Sequence, residues 1–119
     1  MRTAFHPFLP NGPFGDPVVW IDLLDEGRSV LFDMGDLTAV PSRKLLRVDR
    51  AVVTHTHMDH FHGFDTLLQR LLRRERELRI TGPAGFIDNV RGKLAGYTWN
   101  LIGSYPVQLI AEEIDGATL

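Results

Sequence analysis

The chain has no cysteine among its 119 residues. Disulfide bonds are therefore excluded, and so are metal sites built from thiolates, such as those of zinc fingers. Any metal site in this chain would have to use imidazole and carboxylate side chains. That donor set is typical of hydrolytic zinc, manganese or iron rather than of structural zinc.

Long apolar runs and a strong net charge are also lacking. No segment approaches the roughly 20 consecutive apolar residues of a membrane-spanning helix. The first residues are interrupted by Pro7, Pro10 and Pro13 and do not form the apolar core of a signal peptide. A net charge of −2 provides no global basic field of the kind that favours nucleic acid. We therefore expect a cytoplasmic protein that does not associate with membranes.

The residues that are present are typical of a folded domain. Hydrophobic residues make up 44% of the chain and charged residues 24%. This composition and the length predict one globular domain, or part of one, over residues 1–119. Residues 1–16 are rich in proline and turn-forming residues, and we expect them to be an irregular lead-in.

The hydrophobic periodicity predicts an α/β fold. Apolar runs at 17–24 and 29–32, separated by a turn that contains Gly27, predict a hairpin. The strongest helical signal is an apolar stripe formed by Phe64, Leu67, Leu68, Leu71 and Leu72. Further strands are expected at 48–54, 78–81 and 106–114, a short helix after Pro41, and a second long helix from Gly82. This order implies a mixed sheet with helices on one face.

The dominant chemical feature is the segment 54–63, THTHMDHFHG, which contains the pattern H-x-H-x-D-H. His55 and His57 are two residues apart, so in an extended segment both side chains point to one side and can reach one metal. Asp59 and His60 follow where the chain turns into the next helix, and they project toward a second point nearby. Two metals about 3.5–4 Å apart fit this spacing better than one metal with four ligands, and such a pair is suited to hydrolysis.

Two other histidines are interpreted differently. His62 is out of register with the motif, and we expect it to be structural or to support the ligands. His6 lies in the lead-in, where a surface or packing role is expected. For the segment itself, the alternative interpretation is a polar turn with solvated histidines. Four ligand-type side chains at this spacing, between a strand and a helix, favour the metal site.

The segment 54–60 resembles the H-x-H-x-D-H signature of the metallo-β-lactamase fold hydrolases, and the resemblance extends from about Val18 to Ile114. LFDMGD at 31–36 resembles the strand end that precedes the motif in that family. ITGPAGF at 80–86 resembles a strand-to-helix turn of the ribonuclease Z branch, which cuts precursor tRNA at its 3′ end. The resemblance implies the first αβ half of an αβ/βα sandwich and an RNA substrate.

The resemblance also implies a role for each matching residue. His55 and His57 would bind a first zinc ion, and Asp59 and His60 a second. Asp59 would in addition take part in proton transfer and act as the catalytic residue. Asp33 would support the ligands from behind. Manganese or iron(II) could replace zinc at the two positions.

The chain departs from the family in one respect, because it has no histidine after His62. A complete member takes at least three further ligands from a second αβ half. We therefore expect an incomplete domain that is inactive alone and is completed by a missing C-terminal half or by homodimerisation. Two alternatives stay open: a thioester or lactone hydrolase resembling glyoxalase II, and a non-catalytic metal-binding or dimerising fragment.

Overall fold

The computed structural model describes residues 4–99 and 105–114. The strands are β1 (Phe5–Phe8), β2 (Val19–Leu23), β3 (Arg28–Phe32), β4 (Val48–Val52), β5 (Glu77–Gly82) and β6 (Gln108–Glu113). The helices are α1 (Ser42–Leu45), α2 (Met58–Phe61), α3 (Phe64–Leu71) and α4 (Phe86–Ala95). The strands form one sheet in the order β1-β2-β3-β4-β5-β6, antiparallel from β1 to β3 and parallel from β3 to β6. The predicted mixed α/β sheet is confirmed.

One row of paired residues shows why this sheet has a buried face. Successive partners from β2 to β6 are Trp20, Leu31, Ala51, Ile80 and Ala111, and none of these side chains is exposed. Strand residues alternate between the two faces, so this row marks the face that the helices cover. The predicted stripe of α3 packs into the same core through Phe64, Leu67, Leu68 and Leu71, with Leu72 partly buried beside it.

The opposite face of the sheet is open in the part of the chain that the structure describes. Its next row, Ile21, Val30, Arg50, Arg79 and Ile110, is half-buried or exposed. Arg79 lies 3.1 Å from Glu112 in the neighbouring strand. The hydroxyl of Thr81 donates a hydrogen bond to Glu112. This bond and the positive charge of Arg79 lower the pKa of the Glu112 carboxyl below its usual range, although burial alone would raise it.

The lead-in contains a strand where the sequence predicted irregular structure. Phe5 pairs with Leu23 and Phe8 with Trp20, so β1 adds an antiparallel edge to the sheet. Proline lacks a backbone N–H, but one side of an edge strand needs no partner, and Pro7 is therefore tolerated there. Residues 9–16 contain no helix or strand, in agreement with the prediction.

Helix α4 begins at Phe86 rather than at Gly82, as the sequence had predicted. The N–H of Phe86 donates to the carbonyl of Pro83 at 3.0 Å, which closes a turn before the helix. Gly85 in this turn has a φ of +88°, a left-handed conformation that favours glycine. Among the described residues, no helix is both long enough and apolar enough to cross a membrane.

Candidate metal centre

The candidate site begins where β4 ends, close to the middle of the sheet. Val53 continues the pairing with β5 through its N–H, which lies 2.8 Å from the carbonyl of Thr81. The chain then leaves the sheet and presents three of the predicted ligands together. The ring of His55 lies 4.6 Å from that of His57 and 3.9 Å from that of His60, measured between centroids. The structure therefore brings the three imidazoles of the motif into one cluster.

Asp59 lies beside this cluster with 58% of its side chain exposed. Its Oδ1 atom is 3.8 Å from Nε2 of His60. Asp59 and His60 belong to α2, a separate four-residue helix, rather than to the start of α3 as predicted.

The donor set suits a divalent metal, because imidazole and carboxylate are ordinary ligands of zinc. Within residues 4–99 and 105–114, however, no three histidine, aspartate or glutamate side chains are placed to hold one metal ion. The predicted division of the ligands between two metals stays a prediction.

Asp33 is the residue behind the cluster, and it is 8% exposed. Its Oδ1 accepts the backbone N–H of Thr54 at 2.7 Å, and its Oδ2 lies 3.0 Å from Nδ1 of His60. Its φ of +65° is unusual for a residue with a side chain, and that conformation costs about 1–2 kcal/mol. The hydrogen bonds of the carboxylate offset this cost.

These contacts determine which ring nitrogens face the site. A carboxylate only accepts hydrogen bonds, so Nδ1 of His60 must carry the proton that it shares with Asp33. The hydroxyl of Thr54 likewise donates to Asp33, from which it is 3.0 Å distant. The oxygen of Thr54 can then accept from Nδ1 of His55, also at 3.0 Å. In the neutral form of each ring, Nε2 is then unprotonated, which is the form that binds a metal.

Sequence reasoning did not identify Thr54. The signal that would have found it is the parallel pairing of β3 with β4. Asp33 directly follows β3, and Thr54 follows β4 by two residues. Parallel neighbours end at the same edge of a sheet, so residues that follow two such strands come together.

Two glycines allow the backbone to approach the site from behind. The N–H of Met34 donates to the carbonyl of His60 at 2.8 Å, and the N–H of Gly63 donates back to the carbonyl of Met34 at 3.0 Å. A Cβ atom on Gly63 would overlap the carbonyl oxygen of Gly35, and one on Gly35 would lie 2.8 Å from the carbonyl oxygen of Asp59. The predicted close approach at Gly63 is confirmed.

Two further contacts reach the segment from distant parts of the chain. The amide of Asn89 in α4 donates to the hydroxyl of Thr56 at 2.6 Å. Nε2 of His62 lies 2.7 Å from Oδ2 of Asp16, and His62 contributes no ring to the cluster, as predicted. His6 is exposed and lies beside the ring of Phe8, in agreement with its predicted surface or packing role. Asn89 and Asp16 were not identified from the sequence.

Comparison with known proteins identifies the family. The family profile described as "Beta-lactamase superfamily domain" matches residues 23–110, which include the whole H-x-H-x-D-H segment. The chain belongs to the β-lactamase superfamily. Within this superfamily, its fold is that of the metallo-β-lactamases, and the resemblance to the ribonuclease Z branch is confirmed by the relatives described next.

Two curated relatives and one solved structure show which proteins this chain is similar to. It is 29% identical over 113 residues to a ribonuclease Z of Deinococcus radiodurans, which covers 90% of this chain and 34% of the relative. It is 32% identical over 87 residues to a hydroxyacylglutathione hydrolase of Salmonella typhi, covering 70% of this chain and 33% of the relative. The crystal structure of the short form of human tRNase Z superposes with a TM-score of 0.62 at 24% identity, covering 91% of this chain and 48% of that one.

The coverage is as informative as the identity. The chain spans about a third of the length of these two curated relatives and about half of the human structure. The likeness to the human structure shows a shared fold.

Proposed function

We propose that this chain supplies the first half of a dinuclear zinc site in a hydrolase resembling ribonuclease Z. Its substrate would be a tRNA precursor, cut at the 3′ end by hydrolysis of a phosphodiester bond. The observation that carries this proposal is the set of hydrogen bonds at Asp33. Asp33 orients His60 by a direct contact, and it orients His55 through the hydroxyl of Thr54. A group of solvated histidines would not need these hydrogen bonds.

The roles proposed for the four motif residues are those that the resemblance to the family implies. His55 and His57 would hold the first metal, and Asp59 and His60 the second. Bound zinc would supply Lewis acidity for the phosphate and lower the pKa of a coordinated water. Manganese or iron(II) are alternative metals at the same donors.

Asp59 is the residue of this group that is suited to move a proton. Its carboxylate is largely exposed and therefore open to water and substrate, whereas Asp33 is buried and engaged by Thr54 and His60. We assign proton transfer to Asp59 and the orientation of ligands to Asp33.

The remaining ligands would come from outside residues 1–119. The proposed assignment of two donors to each metal leaves each coordination shell open, and the sequence offers no histidine after His62. A second αβ half, or the same chain in a homodimer, would complete the site against the open face of the sheet. The chain alone is then expected to be inactive. A cytoplasmic location, as predicted from the sequence, is part of this proposal.

A second candidate is a thioester or lactone hydrolase of the same fold. It is favoured by the 32% identity to the hydroxyacylglutathione hydrolase of Salmonella typhi. The two candidates share the motif and the fold, so only the substrate distinguishes them. Cleavage of a hydroxyacylglutathione thioester but not of a tRNA precursor would favour this second activity.

A third candidate is a non-catalytic metal-binding or dimerising module. It is the alternative that the sequence left open, and it would not need a second αβ half. Zinc titration separates it from the proposal, because one weakly held zinc per chain indicates a module. Two tightly held ions require a completed site.

The proposal is tested with His55→Ala and His57→Ala in a protein that also contains the second half of the fold. We expect both variants to lose zinc and to lose cleavage of a tRNA precursor. His6→Ala is the matched control, since His6 is exposed and outside the segment. Full zinc content and full cleavage in the His55 and His57 variants would contradict the proposal.

A further inference from the structure

One side chain of the lead-in is joined to the loop that carries the site. Oδ2 of Asp16 lies 2.7 Å from Nε2 of His62, although the two residues are 46 positions apart. The same oxygen accepts the backbone N–H of Asp36 at 3.2 Å. Asp16 therefore connects three segments: the lead-in, the turn after β3, and the residue at which α2 ends.

The lead-in around Asp16 is itself well anchored. The side-chain amide of Asn11 donates to the carbonyl of Asp16 at 3.3 Å and to that of Asp36 at 2.8 Å. The N–H of Gly35 donates to the carbonyl of Pro17 at 3.0 Å. The contact between Asp16 and His62 therefore connects α2 to a segment that is itself hydrogen-bonded to the turn after β3.

Helix α2 needs an external support of this kind. It has four residues, far fewer than a helix needs to be stable by itself in water, and its N-cap residue His57 makes no side-chain capping bond. The backbone of Met34 holds it through the carbonyl of His60. The Asp16–His62 contact is a side-chain support at its C-terminal end.

We propose that Asp16, acting through His62, is a positioning residue for α2 and thereby for the two site residues that α2 carries, Asp59 and His60. The effect of this contact on metal binding by Asp59 and His60 rests on the proposed function. The ordering of α2 by the contact does not depend on it.

Two alternatives to the positioning role lead to different experimental results. Asp16 could act through its negative charge alone, by attracting a cation to the neighbouring cavity of about 380 Å³, which is lined by Asp16, Met58, Asp59 and His62. In the other role, Asp16 and His62 would bind a metal themselves. The cobalt titration distinguishes direct ligation from the positioning role.

The first test is amide hydrogen exchange on the metal-free chain. Asp16→Asn and His62→Phe should each raise the exchange rates of the His62 and Gly63 amides about tenfold, because the turn that bonds them to Met58 and Met34 loses its support. Amides within α3 should not change. His62→Gln retains a donor for Asp16 and should restore most of the protection. Unchanged exchange in both disruptive variants overturns the proposal, whatever the chain does with metal.

The second test is cobalt(II) binding, followed by absorption, with the same variants. Asp16→Asn and His62→Phe should each weaken binding about three- to tenfold, and the double variant should bind no more weakly than the weaker single variant. Asp88→Asn, which removes a carboxylate that is 87% exposed, is the matched control and should bind normally.

The outcomes separate the three roles. Weaker binding in Asp16→Asn alone indicates a charge effect and overturns the positioning role. Loss of a whole cobalt ion with either variant indicates direct ligation and also overturns it. If the unmodified chain binds no cobalt, the proposed metal site fails, and the exchange experiment still decides whether Asp16 orders α2.

Discussion

Oδ2 of Asp33 lies 3.0 Å from Nδ1 of His60, across 27 residues of sequence. This contact joins the end of β3 to α2, and it assigns the ring proton of His60 to the nitrogen that faces away from the site. Asp33 reaches this position only with a left-handed backbone, at a φ of +65°. The carboxylate of Asp33 should therefore affect metal binding, and its left-handed backbone should affect stability, and the two effects can be measured separately.

Asp33→Ala and Asp33→Gly separate these two effects. Both variants remove the carboxylate, so we expect both to weaken zinc binding by about 10- to 100-fold, as measured by calorimetric titration. Glycine adopts a positive φ without strain, so Asp33→Gly should be more stable than Asp33→Ala by about 1 kcal/mol in urea unfolding. Equal zinc affinity in Asp33→Ala and the unmodified chain would contradict the role of the carboxylate.

Thr54 should affect His55 through its hydroxyl and not through its shape. Thr54→Val keeps the branched side chain but removes the donor to Asp33 and the acceptor for His55. We expect zinc affinity to fall about tenfold or more. Thr54→Ser keeps the hydroxyl and is the matched control, with affinity close to that of the unmodified chain. Equal loss in the valine and serine variants would show that packing, not the hydrogen bonds, is responsible.

Gly63 should not tolerate a side chain. A Cβ there would overlap the carbonyl oxygen of Gly35, so Gly63→Ala is expected to reduce the free energy of unfolding by about 1–3 kcal/mol. Gly92 lies exposed in α4, and a Cβ added to it would meet no atom within 4 Å. Gly92→Ala should therefore stabilise the protein by about 0.5–1 kcal/mol. Urea denaturation measures both, and similar effects at the two positions would contradict the close approach at Gly63.

Asp22 should make stability depend on pH. Burial alone would raise its pKa, but hydrogen bonds from Ser29 and Trp20 and the positive charges of Lys44 and Arg47 outweigh that effect and lower it. A lowered folded-state pKa adds stability above the unfolded value of about 3.9. That stability is lost as the pH falls through the folded value.

Asp22→Asn tests this dependence by urea unfolding at several pH values. At neutral pH the variant should be less stable by about 1 kcal/mol, because Ser29 and Trp20 lose a charged acceptor. The difference should shrink as the pH falls below the unfolded pKa of about 3.9 and then through the lower folded pKa, where the native carboxyl takes up its proton. Asp88→Asn, at an exposed position, should show no comparable trend. A difference for Asp22→Asn that stays constant across this range would contradict the prediction.

Local patterns predicted several parts of the fold well. The apolar stripe of α3 and the hairpin around Gly27 depend on neighbours in sequence, and both agree with the structure. The strand at Phe5–Phe8 and the start of α4 at Phe86 were predicted incorrectly. The first depends on a position at the sheet edge that tolerates Pro7, and the second on the left-handed turn at Gly85. Neither is visible from local hydrophobicity.

The sequence by itself determined the donor chemistry of the candidate site. The absence of cysteine and the spacing of His55, His57, Asp59 and His60 left imidazole and carboxylate as the donors and placed them in one loop after a strand. Only the tertiary structure decided how those donors are oriented. Asp33, Asn89 and Asp16 reach the loop from 21 to 46 residues away, through parallel strand pairing, a helix and the lead-in. Contacts of this range depend on how the chain packs, and spacing along the sequence carries no record of them.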